Sequence, residues 1–254
     1  MLRDKDIREP LFDFLENEYG KTRIIEEKMM GTSRADVIMI ITGALVGIEI
    51  KSDADTYTRL ESQIKDYDKY FDYNIVVVGS SHGLHVAEHV PEYWGIITVD
   101  EVEGSPDFYF LRRPEKNKKV RINRKLELLW RPELSYIQKK YKMPEYKAKS
   151  KAFVRKTIVE WTKLPLTQAE IIRIKRAAKA DGVTARIPQT RISVEELDYD
   201  ISELLFERDY EKLLAEIAEY RKNQSPRRRG PLSLYERGKS PRLKGRGRVI
   251  GCSL

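Results

Sequence analysis

Apolar residues recur at three- and four-residue spacing over residues 5–19, with Ile7, Leu11, Phe14 and Leu15 on one stripe. That period is helical. Asp4 or Asp6 stands where a helix cap belongs, and Gly20 where the helix ends. The pattern then turns to short β-rich runs. Residues 22–28 carry Thr22, Ile24 and Ile25, and Gly31-Thr32-Ser33 is a turn. Asp36 to Ile41 and Ala44 to Lys51 flank Thr42-Gly43, which reads as a hairpin. A helix is predicted over 55–71, with Leu60, Ile64, Tyr67 and Phe71 on one side. Ile75 to Val78 is an unbroken apolar run ended by Gly79, as expected of a buried strand. A short helix over 82–90 and a strand over 94–99 follow.

This order predicts an α/β fold of the α+β kind, a mixed sheet with helices packed on it. The first unit spans residues 1–111. Residues 112–124 form a basic connector, in which Val120 and Ile122 alternate as in an edge strand. Residues 125–222 form a helical region, with helices expected over 125–141, 150–163, 167–181 and 193–222. Residues 223–254 are rich in Pro, Gly, Ser and Arg and lack an extended apolar face, so a disordered or partner-ordered basic tail is expected.

Composition adds limits. The 254 residues include one cysteine, Cys252, which excludes an intrachain disulfide and a cysteine-based zinc site. No apolar run approaches the roughly 20 residues of a membrane span, and residues 1–6 do not read as a secretory signal. The expectation is a protein without membrane contact, in the cytoplasm. The net charge of +8 is unevenly laid out. Residues 1–111 hold 11 Lys+Arg against 22 Asp+Glu, whereas residues 112–151 hold 15 against 4. An acidic block beside a basic one suits a site that gathers cations next to a surface that gathers phosphates, although charge blocks also arise on ordinary solvated faces.

The hairpin places chemistry. With its turn at Thr42-Gly43, facing residues sum to 85, so Asp36 lies opposite Glu49. Glu49 and Lys51 project to the same face as each other, because side chains alternate along a strand. Opposed carboxylates repel unless a cation compensates them, and hard oxygen ligands suit Mg²⁺ or Mn²⁺. The carbonyl of Ile50 offers a further ligand. Lys51 stands where it can orient a water or meet phosphate charge. Glu26 or Glu27, from the preceding strand, is a candidate third carboxylate. A Glu-x-Lys triplet alone is common, and a salt-bridge cluster at a hairpin end accounts for it equally well.

The stretch Ser33-Arg34-Ala35-Asp36, followed by Gly47-Ile48-Glu49-Ile50-Lys51-Ser52, resembles the signature of the PD-(D/E)XK, or restriction-endonuclease-like, nuclease superfamily. Gln63-x-x-x-Tyr67 on the next helix resembles the Gln-x-x-x-Tyr element of its RecB-like branch. The wider run through Asp53, Asp55, Arg59, Asp72, His82, Pro91 and Trp94-Gly95 resembles a family of bacterial and phage proteins assigned there. The resemblance covers about residues 1–130 and departs from the pattern at Ala35, where proline is usual. It implies a restriction-endonuclease-like core with Asp36 and Glu49 on metal, and Lys51, Gln63 and Tyr67 serving catalysis. Glu26 or Glu27 would match the upstream acid. It further implies hydrolysis of nucleic-acid phosphodiester bonds, with DNA the expected substrate. The alternative is a non-catalytic nucleic-acid-binding or phage assembly protein on the same fold.

Several features stand outside that core. Arg59, Arg112, Arg113, Lys118, Lys119 and Arg121, together with Arg227, Arg228 and Arg229 of the tail, are candidate phosphate contacts. The tail could instead dock on a protein partner. His82, His85 and His89 share a helical face, for which a solvated surface is the simpler account. Asp53 and Asp55 suit capping. Trp94 and Trp130 suit packing. The run from Leu166 to Ala178 faintly resembles the opening of a helix-turn-helix, though a plain helical bundle is the simpler reading.

Overall fold

The computed structural model describes residues 4–51, 57–185 and 187–222. Asp53, Asp55 and the tail residues Arg227, Arg228 and Arg229 lie outside them. Helix α1 (Asp4–Tyr19) leads into β1 (Arg23–Met30), β2 (Ser33–Ile41) and β3 (Ala44–Lys51). A 3-10 turn (Tyr57–Arg59) opens α2 (Leu60–Tyr70), then come β4 (Tyr73–Gly79), α3 (Ser80–His89), β5 (Gly95–Val102) and β6 (Ser105–Arg112). Six further helices follow: α4 (Ile122–Leu128), α5 (Arg131–Lys140), α6 (Lys151–Trp161), α7 (Gln168–Ala180), α8 (Val194–Phe206) and α9 (Tyr210–Lys222). The predicted mixed sheet with packed helices is thus present.

The strands form one sheet in chain order, β1 to β6. β3, β4 and β5 run parallel, and antiparallel strands flank them on both sides. The parallel steps require crossovers, which α2 and α3 supply. Both crossovers advance the same way across the sheet, so a common handedness puts both helices on one face. That face buries Ile38, Ile40, Leu45, Val76 and Val78 against Tyr67, Phe71, Val86 and Trp94. The same core continues into Leu126, Leu134, Ile158, Leu197 and Ile201 of the later helices. The opposite face buries Met39, Val46, Ile48, Val77 and Ile97 under Ile7, Leu11 and Leu15 of α1. All eight residues of β3 are buried, as expected of a central strand covered on both faces.

Three expectations are corrected. The edge strand is β6, at 105–112, rather than an alternating segment at 112–124. Its hairpin turns at Glu103-Gly104, with φ of 53° and 80°, the positive values a tight two-residue turn requires. Residues 113–121 instead follow an irregular path fixed by Asn117, whose Nδ2 donates to the carbonyls of Asp68 (2.7 Å) and Phe71 (2.8 Å). The expected 125–141 helix is two, broken at Leu129-Trp130, with Pro132 in the first turn of α5. The expected 193–222 helix is also two, broken at Glu207-Arg208-Asp209. There the buried Arg208 guanidinium turns inward to Glu133 (2.7 Å) and the Leu128 carbonyl (3.0 Å). A continuous helix would not hold that geometry at its surface.

Candidate active site

The β2–β3 register runs Val37↔Ile48, Ile38↔Gly47 and Met39↔Val46, so facing residues sum to 85 as the hairpin reading requires. The ladder stops at Val37. Beyond it the Asp36 carboxylate replaces a backbone acceptor, taking the Ile50 N–H at 3.0 Å through Oδ2. In an extended strand the carbonyl of a residue points to the same side as its N–H, so Ile50 also turns its oxygen toward Asp36.

A local break aims Asp36. Pairing between β1 and β2 is continuous except at Glu27 and Asp36, and Glu27 has φ of 53°. The break changes the side-chain alternation on both strands. Ile25 and Met30, one odd and one even, both enter the α2-side core, as do Ala35 and Ile38. Each strand has therefore gained one residue of offset at this point. Such irregularities re-aim a side chain. Here the offset brings Asp36 into the sheet margin, beside the end of β3.

Glu49 is 1% exposed. A carboxylate so buried needs several donors, and it has them. Lys51 Nζ lies 2.6 Å from Oε1, and Gln63 Nε2 donates to the same oxygen at 2.5 Å. Tyr67 Oη donates to Oε2 at 2.7 Å. The hydroxyl carries a single proton, and the shorter approach to Glu49 takes it over the Ile48 carbonyl at 3.2 Å. The Tyr67 hydroxyl oxygen in turn accepts the Asp36 N–H at 3.3 Å. Lys51 is also buried, and its ammonium donates to Gln63 Oε1 at 3.1 Å. Gln63 thus donates to the acid and accepts from the base, four residues before Tyr67 on one face of α2.

Burial pushes the Tyr67 hydroxyl well above its ordinary range, and the Glu49 charge adds to this, so it stays a donor. Burial and the adjacent Glu49 charge raise Asp36 from 3.8 to about 7, against the opposing pull of the Ile50 N–H, Lys51 and Arg8.

Two devices seat α2 over this cluster. Asp66 Oδ2 accepts from Thr32 Oγ1 at 2.9 Å and Ser33 Oγ at 2.7 Å, which ties the helix to the β1–β2 turn. Gly47 leaves room for the aromatic rings. A Cβ there would stand 2.2 Å from Phe71 Cδ2 and 2.7 Å from Tyr67 Cδ1.

Asp36, Glu49, Lys51, Gln63 and Tyr67 are therefore brought together. Glu26 and Glu27, which border Asp36, are engaged by cations. Arg8 of α1 donates to Glu26 Oε2 (3.2 Å) and Glu27 Oε1 (2.8 Å), and Arg34 pairs with Glu27 Oε2 at 2.8 Å. Among the described residues no group of three His, Cys, Asp or Glu side chains is placed to share an ion. Sequence reasoning missed Arg8, whose further hydrogen bond, to the Asp36 carbonyl at 3.3 Å, links α1 to the site margin. Its only sequence signal is a cation beside the buried stripe of α1.

The basic candidates divide. Arg112 spends its guanidinium on the carbonyls of Trp94 (2.7 Å) and Pro91 (3.0 Å). Arg113 pairs with Glu18, and Lys119 with Asp68 and Tyr93. Arg59, Lys118 and Arg121 are exposed. Trp94 is fully buried, and Trp130 packs edge-on against Tyr210. Both are packing residues.

A family model described as bacteriophage P4 protein cII matches residues 1–199. The chain belongs to this phage protein family. The matched stretch holds the whole sheet, the Asp36–Glu49–Lys51 cluster and α2, and it excludes the tail. No curated protein and no solved structure matches the chain. Among the described residues no helix is long and apolar enough to cross a membrane.

Proposed function

We propose that this protein is a divalent-cation-dependent nuclease that hydrolyses nucleic-acid phosphodiester bonds, with DNA as the expected substrate. The observation that carries the reading is the convergence of Asp36, Glu49 and Lys51 at the end of β3, braced by Gln63 and Tyr67. Desolvation, and after it the Glu49 charge, disfavour an ionised Asp36 beside an ionised Glu49. A cation reverses that preference. The donors that would hold it are Asp36, Glu49 and the Ile50 carbonyl. Two carboxylates with a carbonyl fit Mg²⁺ or Mn²⁺, which keep several waters and take the remaining ligands from phosphate. Bound there, such an ion supplies Lewis acidity toward a phosphoryl oxygen and acidifies a coordinated water.

The chain's own groups do the rest. Tyr67 fixes the Glu49 carboxylate by its hydroxyl. Gln63 orients both Glu49 and Lys51. Lys51, buried and paired with Glu49, presents a positive charge to the attacked phosphate or its water as the carboxylate turns to other work.

A second reading has one observation in its favour. Both Glu49 oxygens already have protein donors, which suits a non-catalytic nucleic-acid-binding or phage assembly protein. Cleavage separates the two. Linear, nicked, branched and single-stranded DNA, and RNA, are incubated with Mg²⁺ or Mn²⁺, with Lys51→Ala and Asp36→Ala as controls. Cutting that disappears in both variants supports the nuclease. Cutting that survives both removes this site from the reaction, and no cutting of any substrate leaves the binder.

A further inference from the structure

Helix α7 is unlike the other helices of the body. It has no buried residue, and among the described residues no strand or helix packs closely against it. It rides on an arm whose base is closed by a bridge between Pro165 and Thr190 and by the Arg191 N–H on the Leu164 carbonyl at 2.9 Å. Arg191 secures the base, lying over the Trp161 ring and pairing with Glu170 at 3.4 Å. A helix of 13 residues without tertiary packing is marginal in water. Local devices hold this one, since Thr167 and Glu170 cap its first turn reciprocally.

The charge pattern works against that stability. Glu170, Ile171, Ile174 and Ala178 are the half-buried positions and define the inner face. Arg173, Lys175, Arg176 and Lys179 all lie on the outer face, interleaved with Ala169, Ala177, Ala180 and the exposed Ile172. Arg173 and Arg176, Arg176 and Lys179, and Lys175 and Lys179 stand at three- or four-residue spacing, where like charges repel. Solvated helix faces alternate sign. This face carries no acid, and none of its four cations has an ion-pair partner among the described residues. The alanines at 169, 177 and 180 leave room for a bulky anion on either side of Ile172. Two copies of the face would oppose like charges, which disfavours self-association through it.

We infer that the outer face of α7 binds the sugar-phosphate backbone of duplex DNA. The four cations lie within about 10 Å of helix length, since each residue rises about 1.5 Å, enough for two or more neighbouring phosphates. The inference stands apart from turnover, because it requires phosphate binding and no chemistry at Asp36 or Glu49. It also adds a surface distinct from the basic stretch at 112–125, much of which is engaged within the protein.

The test is binding of the full chain to a labelled duplex of roughly 20 base pairs in EDTA, by anisotropy across a salt series. The variant joins Arg173→Gln, Lys175→Gln, Arg176→Gln and Lys179→Gln. A control joins Lys65→Gln, Lys139→Gln, Lys142→Gln and Lys156→Gln, exposed elsewhere and equal in net charge change. The expected result is at least about tenfold weaker binding for the α7 variant at low salt, with the slope of log K against log salt shallower by about 0.9 for each phosphate left without its cation. The control should weaken by less than about threefold, and circular dichroism should show both variants folded. Equal weakening in variant and control would reduce the effect to net charge and overturn the inference. Unchanged binding would overturn it too. If sedimentation of the α7 variant then shifted from dimer to monomer, the face would be an interface between copies. Because the assay contains no divalent ion, a failed cleavage test leaves this result intact, and the reverse holds as well.

Discussion

Replacing Asp36 with asparagine should make the metal-free protein more stable while removing its proposed activity. Asparagine keeps the shape, and its carbonyl oxygen can still accept the Ile50 N–H that Asp36 takes at 3.0 Å. What it removes is a charge that burial and Glu49 oppose. The Asp36 pKa rises from 3.8 to about 7 on folding. A carboxyl whose pKa rises on folding holds its proton more tightly in the folded chain. Its effect on stability is therefore absent below about pH 4, grows unfavourable as pH rises to about 7, and is constant above. Three pKa units at about 1.4 kcal/mol each give a ceiling near 4 kcal/mol, and about 2 kcal/mol is a fair expectation once the folded chain relaxes. In a domain of this size that is about 4–8 °C in Tm. The assay is urea and thermal unfolding of wild type and Asp36→Asn at several pH values from 4 to 8, without divalent ions. Taking the difference between the two proteins cancels the titration of other groups. The curves should coincide near pH 4 and separate toward pH 8 in favour of the variant. A gap that is the same at every pH, or a variant less stable at pH 8, would refute the reasoning.

Three other substitutions follow from the packing. Gly47→Ala would drive a methyl into Phe71 and Tyr67, at 2.2 and 2.7 Å. It should cost about 1–3 kcal/mol or more by urea unfolding, and cleavage should fall with it as α2 shifts. Tyr67→Phe deprives Glu49 Oε2 of its donor and should cost about 1–3 kcal/mol. That cost should shrink in saturating Mg²⁺, which titration calorimetry can follow in parallel. Lys125→Met leaves Asp72 and Asp198 without the buried ammonium that stands 2.6 and 2.5 Å from them. Unfolding should show a destabilisation of about 3–5 kcal/mol, with an unchanged circular dichroism spectrum at low temperature.

The sequence reveals the hairpin register and the cluster at its end for a simple reason. A two-residue turn sets the pairing, and a one-residue slip would have turned Glu49 and Lys51 to the other face of the sheet. Gln63 and Tyr67 are legible because helical spacing sets them on one face. Arg8 is not, because its ion pairs with Glu26 and Glu27 cross from α1 to a strand, and no local rule foresees them. The same ion pairs, with Arg34, occupy both acids beside Asp36. The offset at Glu27 and Asp36 is likewise hidden, since a glutamate at φ of 53° leaves no mark in composition. Strand β6 had a readable signal in Glu103-Gly104 and the alternation of Phe108 and Phe110, both of which pack toward α1. The helix break at Arg208 arises from tertiary ion pairing, which overrides a continuous helical pattern, whereas the break at Leu129-Trp130 had a readable signal in Pro132, which suits the first turn of a new helix.

The central claim is that Asp36 serves hydrolysis at a cost to folding. It is tested most directly by the rate at which wild type and Asp36→Asn cut a linear DNA duplex in Mg²⁺, both proteins being shown folded. Wild type should cut and lose all cutting in EDTA, while the better-folded variant should be slower by at least about 100-fold, the scale on which a group stabilising developing charge acts. A variant that cuts as fast as wild type would contradict the account.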